Sequence, residues 1–187
     1  MTVVLQTERL VLRRLVPDDF QAVREIHSDP RVMAIYGGVR SEQQTREWIQ
    51  RNIDRYASDG VGFFAIVLKD RDELIGCGGI AMQPTDQGIE PEIGYQMRYD
   101  QWRKGYATEM ALGCIMYAFE TMKVDHIISL IRPDNLASRR VAEKNRLSVD
   151  REFDWQGQLH LVYRMSADEY QNAKSGRSEG IYDQEKR

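Results

Sequence analysis

Two cysteines and three histidines are all that 187 residues offer for disulfides or soft metals. Cys77 and Cys114 stand in separate apolar runs without a CxxC pairing, which reads as two buried free thiols in a reducing compartment rather than a disulfide or a catalytic pair. His27 lies on an apolar helix face, and His126 and His160 lie in strands without ligand spacing, so no metal centre is expected. No stretch approaches the roughly 18 consecutive apolar residues of a membrane span. Met1 to Gln6 lack the basic-then-apolar layout of a signal peptide. A soluble cytoplasmic protein with no membrane partner is the expectation. The formal net charge of −3 shows no basic excess, which argues against a general nucleic-acid binder. It does not argue against an anion pocket built from backbone amides, which carry no formal charge. Two phosphate signatures are also missing: no glycine precedes a Lys-Ser or Lys-Thr pair as in a Walker-type loop, and GxGxxG does not occur.

What is present is an ordinary globular composition, 42% hydrophobic and 29% charged, in a chain long enough to bury roughly 70% of its extended surface without a staple. Residues 8–16 alternate and read as a first strand. Pro17-Asp18-Asp19 opens a helix that Asp29-Pro30 stops. Ser41-x-x-Gln44 is a capping box for a second helix, which ends at Gly60. Residues 63–68 and 74–82 form a hairpin, its second strand thinned by Gly76, Gly78 and Gly79 as close backbone packing or a bulge requires. A loop with Pro84 and Pro91 leads to a strand at 92–99 and a long helix at about 103–122. A strand at 126–131, a helix capped by Asn135, two strands at 147–155 and 159–165 and a short helix capped by Ser166-x-x-Glu169 complete one domain over 1–170. Residues 171–187 read as a disordered polar tail. The order predicts an α/β fold of one mixed sheet with helices on both faces.

The most informative stretch runs from Glu92 to Glu109. An apolar strand gives way to Arg103, Lys104 and Gly105, then at once to a long helix. Backbone amides and the positive end of a helix dipole converge on one spot there, the arrangement that binds phosphate or pyrophosphate. A tight turn in which Gly105 only relieves strain would look the same by spacing. Asn135-x-x-Ser138 is a second candidate, although capping alone accounts for Asn135.

Taken together, Trp102-x-x-Gly105-Tyr-Ala-Thr-Glu, the preceding Glu92-Ile-Gly-Tyr and the following Asn135-x-x-Ser138-x-x-Val-x-Glu-Lys-Asn resemble the GNAT N-acetyltransferases. The opening Thr7-Glu-Arg-Leu-Val-Leu-Arg-Arg and Pro17-x-Asp fit the branch typified by ribosomal-protein N-terminal acetyltransferases (Rim type). The resemblance covers residues 7 to about 170 and implies a splayed, mostly antiparallel sheet with acetyl-CoA as co-substrate. Its pyrophosphate would sit on the amides of Arg103, Lys104, Gly105, Tyr106, Ala107 and Thr108. Its pantetheine arm would pair like an extra strand with Met97, Arg98 and Tyr99, and Asn135 would contact the arm. Ser138 would protonate the departing thiolate. Two departures stand out. Trp102 replaces the Arg or Gln usual in the wider superfamily, as the Rim branch allows. Arg146 and Leu147 replace a glycine and an aromatic after the last helix of the motif, and a non-glycine in a left-handed turn costs roughly 1 kcal/mol, so that corner is open to rebuilding.

Acetyl transfer from a thioester needs a neutral amine and a group to receive its proton. Glu92, at the start of the strand beside the thioester, is placed for that work, with Glu90 as the competing carboxylate. Trp48, Tyr36 and Trp155 read as core or pocket wall. The acceptor implied is a primary amine, foremost a protein or peptide N-terminus, with a polyamine, aminoglycoside or amino acid as the alternative. A non-catalytic acyl-CoA sensor on the same fold is a further reading, and homodimer formation stays open.

Overall fold

A computed structural model describes residues 2–182. Eight strands form one sheet in the order β1-β2-β3-β4-β5-β6-β8-β7. They are β1 (Val3–Gln6), β2 (Leu10–Arg13), β3 (Phe63–Leu68), β4 (Glu73–Thr85), β5 (Gly88–Met97), β6 (His126–Ile131), β7 (Ser148–Trp155) and β8 (Gln158–Ser166). Every neighbouring pair is antiparallel except β5–β6, which is parallel and registered at one position, Glu92 opposite Ile128. Beyond that position the two strands part, and the sheet opens like a V.

Strand alternation sends side chains to two cores. Phe64, Ile66, Ile80, Ile93 and Met97 pack against α4 (Tyr106–Tyr117) through Met110, Ala111, Cys114 and Ile115. Ala65, Val67 and Cys77 pack on the other face against α1 (Phe20–Ser28), the short α2 (Pro30–Met33) and α3 (Glu42–Ser58) through Val23, Ile26, Val32, Trp48 and Ile49. Cys77 and Cys114 are both buried free thiols. The glycines of β4 are there for contact: a Cβ on Gly79 would stand 2.3 Å from the Gly62 carbonyl oxygen. A bulge also falls in this hairpin, since Ile66 faces Gly76 while Val67 faces Leu74.

Caps behave as their sequences require. Ser41 accepts from the Gln44 amide while Gln44 accepts from the Ser41 amide. Asn135 caps α5 (Leu136–Lys144) by accepting from the Ser138 amide at 3.2 Å. Asp29 ends α1 and caps α2 by accepting from the Arg31 amide.

Four boundaries differ from the sequence reading. The chain start forms an additional strand, β1, because Thr7 closes a hairpin between Gln6 and Leu10: its amide bonds the Leu10 carbonyl and its hydroxyl accepts from the Leu10 amide. The two-proline loop is instead strand, with Pro84 opposite Ile89 and Pro91 opposite Met82. The Arg98 amide bonds Ile75 of β4, so even-numbered residues of β5 face β4 and both prolines fall at non-hydrogen-bonded pairs, where a missing N–H costs little. The long helix begins at Tyr106 and closes in a π turn at Ala118–Met122. The last helix, α6 (Ala167–Tyr182), runs on past Lys174 into the segment read as a tail. The rest of that tail, 183–187, lies outside the described residues.

The corner after α5 is kept rather than rebuilt. Arg146 adopts φ 67°, its amide bonds Glu143, and the Leu147 amide bonds Ala142, which closes the helix as a left-handed cap does. Leu147 is buried where an aromatic was expected. Arg146→Gly is therefore expected to stabilise the protein by about 0.5–1 kcal/mol, read as a higher urea midpoint at unchanged slope.

Candidate active site

The turn into α4 is built from left-handed residues. Arg103 has φ 63° and Gly105 has φ 84°, and Gly105 is the N-cap of α4 with no side chain bonding the first helical amides. The N–H groups of Tyr106, Ala107 and Thr108 thus point out of the helix end as a ready anion cradle. The cradle is anchored by Glu109. Its carboxylate accepts from the Thr7 hydroxyl, the Arg9 amide (2.7 Å) and the Arg9 guanidinium (2.6 Å). Arg9 also bonds the Lys104 carbonyl at 3.1 Å and lies over the Tyr106 ring. Partial burial works to raise the Glu109 pKa, but Thr7 and Arg9 outweigh it and hold the group ionised below its usual range. From the other side, the Asn145 side-chain amide bonds the Thr108 carbonyl at 3.2 Å and ties α5 to the same helix end.

Beside the cradle lies a cavity of about 530 Å³ along the open edge of β5. Odd-numbered residues of β5 face this edge. Their carbonyls already have side-chain partners: Ser129 bonds Ile93, Tyr36 bonds Tyr95 and the Trp102 indole bonds Met97, at 2.8, 2.6 and 2.9 Å. The amides of Tyr95 and Met97 face the gap left by β6. Of the residues singled out from sequence, Met97, Arg103, Gly105, Tyr106, Ala107, Thr108, Asn135 and Ser138 line this cavity. The side chains of Arg98, Tyr99 and Lys104 point away from it. Arg98 turns to β4 and pairs with Glu73 and Asp100, Tyr99 packs under Arg31 and against Trp102, and the Lys104 ammonium bonds Gln101.

A second cavity, of about 400 Å³, opens on the α3 side and shares Tyr36, Tyr95, Asn135 and Ser138 with the first. Glu92 lines it. Its carboxylate accepts from the Leu130 amide at 3.4 Å across the point where β5 and β6 separate. Burial pushes Glu92 up to about 7, with Leu130 and Arg55 offsetting part of the rise. Glu90, by contrast, is 3% exposed and held by Thr85, Arg151 (2.6 Å) and His126 (3.0 Å). Burial would raise its pKa, but these partners hold it below the usual range. Glu90 locks β5 to β6 and β7 and has no free oxygen edge for a substrate.

Ser138 sits across the window from Glu92, its hydroxyl accepting from the Asn135 side-chain amide at 3.0 Å. Tyr95, absent from the sequence-derived set, lines both cavities beside it. Its hydroxyl is buried and lacks a well-formed hydrogen bond among the described residues; burial pushes its pKa up to about 12, with the neighbouring Ser138 hydroxyl offsetting part of the rise. The Glu92-Ile-Gly-Tyr motif contains Tyr95, and strand parity places it on the face opposite Glu92. Arg140 and Lys144 also line the first cavity; their i, i+4 spacing with Asn135's helix was the available signal. His27 is a fully buried residue bonded to Thr45, Gln96 and Arg40, and burial lowers its pKa to about 4.

These features have counterparts in known proteins. The family described as "Acetyltransferase (GNAT) domain" matches residues 9–148, and the chain belongs to it. The chain is 36% identical over 141 residues to the uncharacterized protein YkkB of Bacillus subtilis, covering 75% of this chain and 82% of that one. A crystal structure of an acetyltransferase from Agrobacterium tumefaciens superposes with a TM-score of 0.76 at 31% identity, over 86% of this chain and 92% of the other. The structure of RimL, a ribosomal L7/L12 alpha-N-protein acetyltransferase in complex with coenzyme A, shares the fold at 19% identity and a TM-score of 0.72, over 89% and 99% of the two chains. The protein is an acetyl-CoA-dependent N-acetyltransferase of the GNAT fold.

The role of Glu109 gives a direct test. Glu109→Gln is expected to cost about 1–2 kcal/mol at neutral pH, because the amide cannot serve all three donors. A lowered carboxylate pKa contributes stability above its unfolded value, near 4.3, and loses it as pH falls through the folded value. The gap between wild type and variant in urea unfolding should therefore be steady above about pH 5 and close on acidification.

Proposed function

We propose that Glu92 receives the proton of the attacking amine, that Ser138 protonates the departing CoA thiolate, and that the acceptor is a protein or peptide N-terminal amine. The observation that carries this reading is the position of Glu92: a half-buried carboxylate, its pKa pushed up to about 7 by desolvation, on the α3 side of the window where β5 and β6 part. The pyrophosphate rests on the amides of Tyr106 to Thr108. The pantetheine extends along the open edge of β5 toward the amides of Tyr95 and Met97, which brings the thioester to the gap.

In the direct attack, the amine nitrogen forms a bond to the acetyl carbonyl carbon and the carbon–sulfur bond breaks. Glu92 takes the proton that nitrogen releases, directly or through one water, and the sulfur leaves as a thiolate that takes a proton from the Ser138 hydroxyl, which regains one from solvent as Glu92 returns its own. Acceptor-side and leaving-group chemistry thereby meet the thioester from two sides of the gap between β5 and β6. Positioning and fixed dipoles supply the remaining acceleration.

The tuned base bears on the acceptor. An α-amino group with a pKa near 8 is neutral for roughly a tenth of the time at pH 7, whereas a lysine-like amine near 10.4 is neutral for only about 0.04%, a difference of roughly 3 kcal/mol. A carboxylate near 7 lies within about one unit of the first and more than three of the second, which supports an N-terminal amine.

Glu92→Gln is expected to lower kcat by about 10²-fold or more with acetyl-CoA affinity unchanged, and to abolish a rise in kcat/KM through about pH 7. Since the folded pKa is raised, the neutral form's stability advantage is present below the unfolded value and lost as pH rises through 7. The same variant should therefore unfold at higher urea than wild type above pH 8. An unchanged rate in Glu92→Gln would remove the base assignment, and an unchanged rate in Ser138→Ala would remove the acid.

A further inference from the structure

The cavity that receives the acceptor has an uneven charge. Glu92 is the one carboxylate among its lining residues, while Arg40, Arg55, Arg132 and His160 also face it. Arg132 is neutralised by Asp134, with contacts at 2.9 and 3.1 Å. Arg40 and Arg55 are not neutralised. The Arg40 guanidinium bonds His27 at 3.0 Å and lies 5.7 Å from the Trp48 ring centroid, and neither contact carries a negative charge. Among the described residues Arg55 makes no ion pair, and its charge is felt at Glu92. Arg51, one turn before Arg55 on α3, adds a third cation, whose repulsion together with burial lowers the Arg40 pKa. Several other partly buried arginines are matched to acids: Arg13 to Asp19, Arg98 to Glu73 and Asp100, Arg151 to Glu90 and Asp86. Half-buried guanidinium groups left without acids at one wall of a substrate cavity are a binding arrangement for an anion, since guanidinium presents a fork of donors suited to carboxylate or phosphate.

Building on the proposed acetyl transfer, we infer that the acceptor carries its own negative group, a carboxylate or phosphate, held by Arg40 and Arg55 while its amine meets Glu92. The charge pattern works for catalysis as well as recognition. Cations on the wall disfavour an ammonium and so release the neutral amine that must attack. They repel polyamines and aminoglycosides, whose several positive charges have one carboxylate to meet. A free amino acid and a peptide with an acidic residue just after its N-terminus share the required chemistry.

The test is CoA release with matched acceptors: Ala-Asp-Ala-amide against Ala-Asn-Ala-amide, free amino acids against their amides, and spermidine. Per neutral amine, the acidic member of each pair should show a kcat/KM about tenfold higher, as loss of a close charge contact would imply, and the advantage should shrink as ionic strength rises. Preference within the peptide pair, within the amino-acid pair, or in both identifies the source of the anion. Arg55→Gln should bring the ratio toward one through KM, with acetyl-CoA affinity unchanged and Arg55→Lys retaining part of the preference. Arg40→Gln provides the second variant. Equal rates within pairs, a preference for spermidine, or a ratio that ignores both arginines would overturn the inference while leaving acetyl transfer intact. If no acceptor is turned over, the acetyl-transfer reading fails for these amines. The inference is then read from calorimetric titration of the same pairs into CoA-saturated protein: selective binding of the acidic member, lost in Arg55→Gln, supports it, and equal or no binding overturns it.

Discussion

Parallel pairing between β5 and β6 that stops after one registered position, Glu92 opposite Ile128, is the constraint on which the rest of the site depends. A sheet edge in the middle of a protein leaves unpaired amides and carbonyls that must find partners. Here the carbonyls of Ile93, Tyr95 and Met97 are met by Ser129, Tyr36 and Trp102, while the amides of Tyr95 and Met97 remain directed at the cavity. The fold thus contains a strand-shaped place, lined by side chains that hold its shape. Because alternate residues of β5 face opposite sides, the same strand presents Glu92 on the α3 face of the sheet and Tyr95 on the α4 face.

The second constraint is the attachment of the anion cradle to the sheet. Thr7 and Arg9, in the β1–β2 turn, grip Glu109 in the first turn of α4, and Asn145 holds the same helix end from α5. The left-handed residues Arg103 and Gly105 then aim three helical amides at one point. The edge of β5 and the tip of α4 meet at Trp102, whose indole bonds Met97. That contact gives a physical reason for a tryptophan at a position where the wider superfamily favours Arg or Gln.

Much of this was legible in the sequence because the signals were local. The Gly105 junction, the Asn135 and Ser41 caps and the order of strands and helices follow from a few neighbouring residues. What was missed depends on long-range pairing. Nothing near Pro84 or Pro91 says that they fall at non-hydrogen-bonded pairs of a long hairpin, and nothing near Thr7 announces Glu109 a hundred residues away. Arg98, Tyr99 and Lys104 look equivalent to their neighbours in sequence, yet strand parity and the turn at Tyr99–Gln101 send their side chains away from the cavity. Glu90 and Glu92 could not be separated by spacing; burial with Arg151 and His126 commits the first to holding strands together, and isolation at the splay leaves the second free. The unpaired arginines were invisible for the same reason, since an arginine is unpaired only by comparison with what surrounds it.

The central claim is that the open edge of β5 receives the pantetheine arm and so brings the thioester to Glu92. Amide hydrogen exchange resolved by residue, with and without acetyl-CoA, tests it most directly. The account predicts that cofactor slows exchange at Tyr95 and Met97 together with Tyr106, Ala107 and Thr108, while Arg98, already bonded to Ile75, is unchanged. Protection confined to the α4 tip, with Tyr95 and Met97 exchanging as fast as before, would contradict it.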